Sequence, residues 1–234
     1  MLDPMHPKRA RARRFAAVPA LALAACAMVG GPATDARALA PEPAPVPKRW
    51  QLEVETSPLR LTVVDIPGQG PRAFFYMTFK ATNNSANDLL FAPAFELATD
   101  DMIVLRSGRD VPGAATTELI DRMQNPLLED QIGIVGTLLR GEENAKEGLV
   151  AWPMPATFQS EVVVYCAGFS GETATVEVPN PASMMASSSD KPAPVKMQKK
   201  TLRKTLMLRY RLPGELNAAA GLELKPFESN WIMR

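Results

Sequence analysis

Residues 72–85, RAFFYMTFKATNNS, contain the strand around which the predicted fold is built. Side chains alternate between the two faces of a strand, so this one presents large apolar residues on both sides. Asn83 and Asn84 end it with residues typical of turns. A second extended run, DLLFAPAFELATDD, follows at residues 88–101, and Pro93 within it predicts an edge position or a bulge. We expect the two runs to pair as an antiparallel hairpin.

Short alternating segments continue through most of the remaining chain. Two strands are predicted over residues 50–64, and others at 102–105, 148–152, 162–167, 173–178, 202–212 and 227–233. The segments 162–167 and 173–178 are expected to pair around the turn at 168–171. Many short strands separated by turn signals favour a sandwich, in which two sheets bury alternate residues of each strand. We therefore predict a mainly β chain, with one immunoglobulin-like antiparallel β-sandwich domain over residues 49–234.

The spacing of apolar residues changes between residues 111 and 140. Thr116 is a candidate N-cap of a helix that carries Leu119, Ile120 and Met123 on one face. Asn125-Pro126 ends this helix, and residues 127–139 repeat a helix-like spacing of apolar side chains. We expect an inserted helical hairpin over about residues 113–140 that caps one end of the sandwich. Residues 141–147 are predicted to form a charged turn after it.

The N-terminal residues 1–40 have the composition of a targeting segment, with a cationic stretch at 8–14 and an apolar stretch at 15–29. The apolar stretch is shorter than the roughly 20 residues that span a bilayer, and a retained membrane anchor is the alternative. Leu23-Ala24-Ala25-Cys26 resembles a bacterial lipobox, which implies a lipidated Cys26. Ordinary cleavage near Ala38 is the alternative to lipidation. We expect an exported protein, periplasmic or attached to the membrane of the bacterial cell envelope.

Two further segments are predicted to lack regular structure. Residues 41–48 contain repeated prolines and are expected to form a stiff linker. Residues 179–200 show no core pattern and are expected to form a mobile loop, in which Met184-Met185 is not expected to bind a soft metal. A basic run overlaps and follows this loop, and it is either a solvated flank or a surface for anionic lipid headgroups. Its members are Lys196, Lys199, Lys200, Arg203 and Lys204.

The charge distribution argues against nucleic acid as a partner. The chain has a formal net charge of +1, but residues 1–26 contain five basic residues and one acidic residue. The rest of the chain then has 21 basic and 24 acidic residues, a net charge of −3. Contacts to phosphates dominate the affinity of proteins for nucleic acids, and a mildly acidic domain is poorly suited to them.

The residues available for catalysis are few. The single histidine is His6, inside the targeting segment, so the predicted domain has no imidazole for general-base or metal chemistry. Cys166 lies in an apolar strand and is predicted to be a small core residue rather than a reactive thiol. The acidic pairs at 100–101 and 142–143 are predicted to be solvated rather than calcium ligands or catalytic carboxylates. We predict no catalytic residue, metal or cofactor, and a protein that is not an enzyme.

Two blocks of the sequence resemble a known family. ATNNSANDLLFAPAFELATDD at 81–101 and RGEENAKEGLVAWPMP at 140–155 are similar to a bacterial telokin-like, immunoglobulin-like lipoprotein domain family. The likeness covers residues 72–155 and departs from the family pattern through the insertion at 111–140. It implies a sandwich fold and a location in the envelope, and it carries over no catalytic residue. The whole chain also resembles exported bacterial proteins.

Two functions are compatible with these features. The first is a non-enzymatic envelope protein that acts as a protein-binding or structural module, with an unknown envelope protein as partner. Its candidate contact surface is Leu127, Leu128 and Ile132, because these exceed what a small cap needs to bury. The alternative is a carrier of a small apolar ligand held between the helical cap and the sheet. The candidate lining of that pocket is Phe75, Met77 and Trp152.

Overall fold

The computed structural model describes residues 40–155, 157, 160–181, 196–214, 216, 218 and 221–234. Cys26, Met184 and Met185 lie outside the described residues. The described part is mainly β, as predicted. The elements are β1 (Glu53–Thr56), β2 (Leu59–Ile66), β3 (Gly70–Asn83), β4 (Leu89–Phe91), β5 (Ala94–Thr99), β6 (Val104–Arg106), α1 (Gly113–Met123), β7 (Leu128–Asp130), β8 (Gly136–Leu138), β9 (Gly141–Pro153), β10 (Glu161–Ala167), β11 (Thr173–Pro179), β12 (Met197–Arg211), β13 (Leu222–Leu224) and β14 (Glu228–Met233).

The strands form two large sheets and one small one. The first sheet has the order β13-β2-β3-β9-β7, with β1 also paired to β3. The second has the order β11-β12-β10-β5-β6, with β14 also paired to β12. The strands β4 and β8 pair only with each other among the described residues. The neighbours are antiparallel except β7 and β9, which run parallel.

The central strand β3 is buried on both faces, which explains its run of large apolar residues. Phe75 and Met77 belong to a core that also contains residues of the second sheet, such as Leu97 and Leu208. The opposite face of β3 carries Phe74 and Tyr76 into a second cluster. That cluster is covered by α1, chiefly through Ala115 and Leu119. The fold therefore stacks a helix, the first sheet and the second sheet.

An aromatic group connects the two sheets. The Phe79 ring of β3 lies 4.7 Å from the Phe95 ring of β5 and 5.6 Å from the Phe169 ring, measured between centroids. Phe91 of β4 completes the group, 5.4 Å from Phe169 and 6.5 Å from Phe79. All four side chains are buried. Aromatic pairs at such separations contribute about 0.5–1.5 kcal/mol beyond the burial of their area.

The predicted hairpin between 72–85 and 88–101 is wrong. β3 pairs with β1, β2 and β9, and the second run splits into β4 and β5 on either side of Pro93. β5 belongs to the opposite sheet, where it pairs with β10 and β6. The alternation of side chains determines which residues share a face, but it leaves the neighbouring strand undetermined.

The predicted pairing of 162–167 with 173–178 is wrong for the same reason. β10 and β11 each pair with β12 instead. β11 pairs with the first half of β12, up to Arg203, and β10 pairs with its second half, from Leu206. Two predicted loops are also strands: residues 141–147 belong to β9, and residues 197–200 of the predicted mobile loop belong to β12. The split of residues 50–64 into two strands and the final strand near Trp231 are confirmed.

The predicted helical hairpin is wrong, because only its first helix forms. Its first helix is α1, which begins after Pro112, so Thr116 lies inside the helix and is not its cap. Residues 127–139 form β7, a turn and β8 rather than a second helix. The Asp130 carboxylate accepts hydrogen bonds from the Ile132 and Gly133 N–H groups, at 2.8 and 2.6 Å. Such a local side-chain turn competes with the helix, and two glycines weaken the helix further.

Candidate functional site

The small sheet of β4 and β8 exposes an unusual row of aliphatic side chains. Leu90 stands opposite Thr137 in the ladder, so both point to the same side. Val135 and Leu139 flank β8, two positions before and after Thr137, and both are exposed. Leu90 is 78% exposed, Val135 49% and Leu139 47%. We call these three residues the ribbon face.

The opposite side of the same two strands is anchored in the main core. Phe91 and Leu138 are fully buried there, and Leu89 packs against the same core. We call this small sheet of β4 and β8 the ribbon, and one of its two sides faces the core. The alternation of β4 and β8 leaves the ribbon face directed to solvent.

Asn83 ties the ribbon to the end of β3. Its side chain is buried, and its Nδ2 donates hydrogen bonds to the carbonyl oxygens of Asn87 (2.9 Å) and Leu138 (3.1 Å). Its Oδ1 accepts hydrogen bonds from the Ser85 N–H (3.1 Å) and the Ser85 hydroxyl (2.6 Å). One amide thus shapes the turn after β3 and holds β8 in place. The sequence indicated a turn residue at this position but not its contact with Leu138.

Two further hydrogen bonds hold the chain on either side of β8. The Arg140 N–H donates to the Asp88 carboxylate at 3.1 Å, which joins the ends of the ribbon. The Lys146 ammonium donates to the Ile134 carbonyl at 2.9 Å, and the Ile134 side chain is buried in the core. The ribbon is therefore fixed at both ends as well as on its inner side.

The predicted contact surface is only partly available. Leu127 and Ile132 are 69% and 77% exposed, and Ile132 lies in the turn just before the ribbon face. Leu128 is buried, because β7 pairs with β9 and turns this side chain into the cluster beneath α1. Leu128 is therefore core and not surface. The ribbon residues were missed because their pairing joins segments that are 47 positions apart at Leu90 and Thr137.

The predicted ligand pocket is not formed by the residues expected to line it. Phe75, Met77 and Trp152 are fully buried in the core between the two sheets. They point away from α1, which covers the other face of β3. The helix covers the face of β3 opposite to the one that the predicted pocket requires. The Trp152 Nε1 is buried and finds no hydrogen-bond partner among the described residues.

The acidic pairs and Cys166 occupy separate places in the fold. The Asp100 carboxylate accepts hydrogen bonds from the Ser160 N–H (2.8 Å) and hydroxyl (3.3 Å). Burial raises the pKa of the Cys166 thiol far above its ordinary value, as expected for a core residue. In the part of the chain that the structure describes, no three His, Cys, Asp or Glu side chains are grouped so that they could hold a metal ion. No described helix is long and apolar enough to cross a bilayer.

The predicted linker at 41–48 is docked on the domain, and we call residues 40–48 the N-terminal strap. The Ala44 N–H donates to the Glu172 carboxylate at 2.8 Å. The Lys204 ammonium donates to the Ala44 carbonyl and to Glu172, both at 3.2 Å, and its side chain is only 3% exposed. The strap and β14 line a groove of about 730 Å³ beside Trp231. The proline content indicated an extended chain, but not that a buried ion pair would hold it.

Comparison with known proteins adds no relative. No protein-family model, curated protein or solved structure matches the chain. The ribbon face and the N-terminal strap are therefore interpreted from their own geometry.

Replacing Asn83 with Ala is expected to destabilise the domain by about 1–3 kcal/mol, because the buried Leu138 carbonyl loses its donor and the turn loses its acceptor. Urea unfolding followed by tryptophan fluorescence measures this change. Asn84→Ala is the matched control, since Asn84 is exposed and its side chain bonds only Glu53 within the described part of the chain. Its stability should stay within about 0.5 kcal/mol of the wild type. Equal effects of the two substitutions would contradict the assigned role of Asn83.

The strap contact is expected to respond to acid. The Ala44 N–H, followed by the charges of Lys204 and Lys48, holds the pKa of Glu172 below its ordinary value near 4.5. Its contribution to stability is therefore present above pH 4.5 and is lost as the pH falls through the lower folded-state pKa. The stability of Glu172→Gln should accordingly fall less than that of the wild type between pH 5 and the acid limit. Glu142→Gln, at an exposed carboxylate, should follow the wild type. Parallel profiles for the wild type and Glu172→Gln would exclude this contact in solution.

Proposed function

We propose that this chain is a non-enzymatic protein of the bacterial cell envelope that binds another protein through the ribbon face. The observation that carries the proposal is the row of three exposed aliphatic side chains on a small, firmly anchored sheet. Exposed aliphatic residues scattered singly are ordinary, but a row on one face indicates a contact surface. Covering one such side chain fully contributes about 1.5–3 kcal/mol.

The anchoring of the ribbon supports binding rather than local disorder. Its inner residues Phe91 and Leu138 are held in the core, and Asn83 fixes its backbone. A partner would meet side chains that are already positioned, so little conformational entropy would be lost on association. The partner chemistry that fits is an apolar surface of a folded protein. The Asp88 and Arg140 side chains beside the ribbon supply the polar rim that is common around such contacts.

The immunoglobulin-like fold class and the location in the cell envelope are part of the same proposal. Two sheets with mostly antiparallel neighbours and a shared core support the immunoglobulin-like class. Export, and attachment through a lipidated Cys26, are inferred from the cationic and apolar stretches and the lipobox of the N-terminal sequence. In this proposal the domain stands at the membrane surface and captures its partner there.

The double variant Leu90→Ser with Leu139→Ser is expected to weaken the partner complex by at least about tenfold, because two apolar contacts are lost. Cross-linking in the native envelope would identify the partner, and titration calorimetry of the purified pair would measure the affinity. Unfolding of the variant should remain within about 0.5 kcal/mol per substitution, since both side chains are exposed.

Met102→Ser is the matched control, because Met102 is 91% exposed and lies outside the ribbon. It should leave the affinity unchanged. The proposal is refuted if the ribbon variant binds the partner as tightly as the wild type does.

A further inference from the structure

We propose that the hairpin of β11 with the first half of β12 binds the anionic headgroups of membrane phospholipids. We call this hairpin, Thr173–Pro179 paired with Met197–Arg203, the basic arm. The inference rests on the envelope location proposed above. It adds a second surface, separate from the ribbon face, and assigns it a lipid rather than a protein.

The basic arm lies at the margin of the second sheet. β11 pairs with β12 over seven positions, and in the described part of the chain nothing pairs with its other edge. Its residues are exposed or half-buried, in contrast to the buried second half of β12. The arm is thus an accessible two-stranded projection and not part of the core.

The arm is basic within an otherwise acidic domain. The two strands of the arm, residues 173–179 and 197–203, contain three basic residues and one acidic residue, a net charge of +2. The rest of the chain after Cys26 has 18 basic and 23 acidic residues, a net charge of −5. Such an asymmetry directs the arm toward an anionic surface and the remaining domain away from it. An anionic membrane surface attracts each nearby Lys or Arg by about 1 kcal/mol.

The arm cations are available for an external partner. Lys199, Lys200 and Arg203 are exposed, and none of them takes part in an ion pair within the described residues. Glu177 stands opposite Lys199 in the ladder and offsets part of one charge. By contrast, Lys204, the next cation along β12, is buried against Glu172. The exposed cations of β12 that could contact a membrane therefore end at Arg203, just before the buried half of the strand.

The side-chain directions on the arm suit an interface between water and lipid. Lys199 and Lys200 are consecutive in a strand, so they point to opposite faces and both faces carry a cation. Met197, 55% exposed, lies opposite Pro179 farther along the arm. Apolar side chains beside flexible lysines form the pattern that enters the headgroup layer, because the lysine stems extend along the apolar region while their ammonium groups stay at phosphate level.

The N-terminal strap is docked at the base of this arm. Glu172, which directly precedes β11, holds Ala44 of the strap. The 18 residues from Cys26 to Ala44 span at most about 65 Å when fully extended. An acyl group on Cys26 would therefore keep the arm within reach of the bilayer. A single acyl chain gives only marginal attachment, and a basic patch is a common second contribution.

The test compares vesicle binding of full-length variants. Sedimentation with vesicles of phosphatidylcholine and phosphatidylglycerol (70:30) is compared with pure phosphatidylcholine, and the ratio of the two partition coefficients is taken for each variant. Lys199→Gln with Lys200→Gln should lower this ratio by about 30-fold, since two surface charges are lost. Arg109→Gln with Lys225→Gln removes the same charge from exposed positions outside the arm and should change the ratio by less than about threefold.

The outcomes separate this proposal from the others. Equal losses for the two double variants would indicate a general electrostatic attraction between the protein and the vesicles, and would overturn the assignment to the arm. No loss for either variant would overturn it too. If a short DNA duplex binds the wild type more tightly than the anionic vesicles and loses that binding in the arm variant, the arm serves nucleic acid instead. The arm variant should retain the affinity for the ribbon partner. The ribbon variant tests the proposed function separately, because it should lose partner binding and keep the wild-type vesicle ratio.

Discussion

The contact between Phe79 and Phe95 is the interaction on which the rest of the structure depends. It joins the central strand of the first sheet to β5 of the second, and Phe169 and Phe91 pack around it. These rings remove a large apolar area from water, and each is worth about 1.5–3 kcal/mol of burial. The strong requirement to bury them sets the positions of the segments that carry them. Phe91 in particular holds β4 against the core.

The exposure of the ribbon face follows from this packing. Since Phe91 and Leu138 must point inward, the alternate residues Leu90 and Leu139 must point outward. Asn83 makes the arrangement possible by satisfying the buried carbonyl of Leu138 where the chain leaves β3. The apolar surface is therefore a consequence of how the core is closed. The presence of leucine at both positions, rather than a polar residue, is the feature that binding would explain.

Local patterns predicted the faces of strands well and their neighbours poorly. The apolar residues on both sides of β3, the break at Ser57-Pro58 and the first inserted helix were all readable from spacing. The pairing of β3 was not, because a strand with two apolar faces accepts several partners. Residues 127–139 satisfied both a helical and an extended spacing, and the turn around Asp130 decided between them. The strap was unpredictable because its anchor, Lys204, lies 160 residues away from Ala44.

A double-mutant cycle between Phe79→Leu and Phe95→Leu tests the central contact most directly, because it isolates the coupling between the two sheets from the loss of each ring alone. Urea unfolding of the wild type, both single variants and the double variant gives the four free energies required. We expect a coupling free energy of about 0.5–1.5 kcal/mol in favour of the pair. Additive effects, with no coupling, would show that the two rings do not meet and would contradict the packing of the sheets described above.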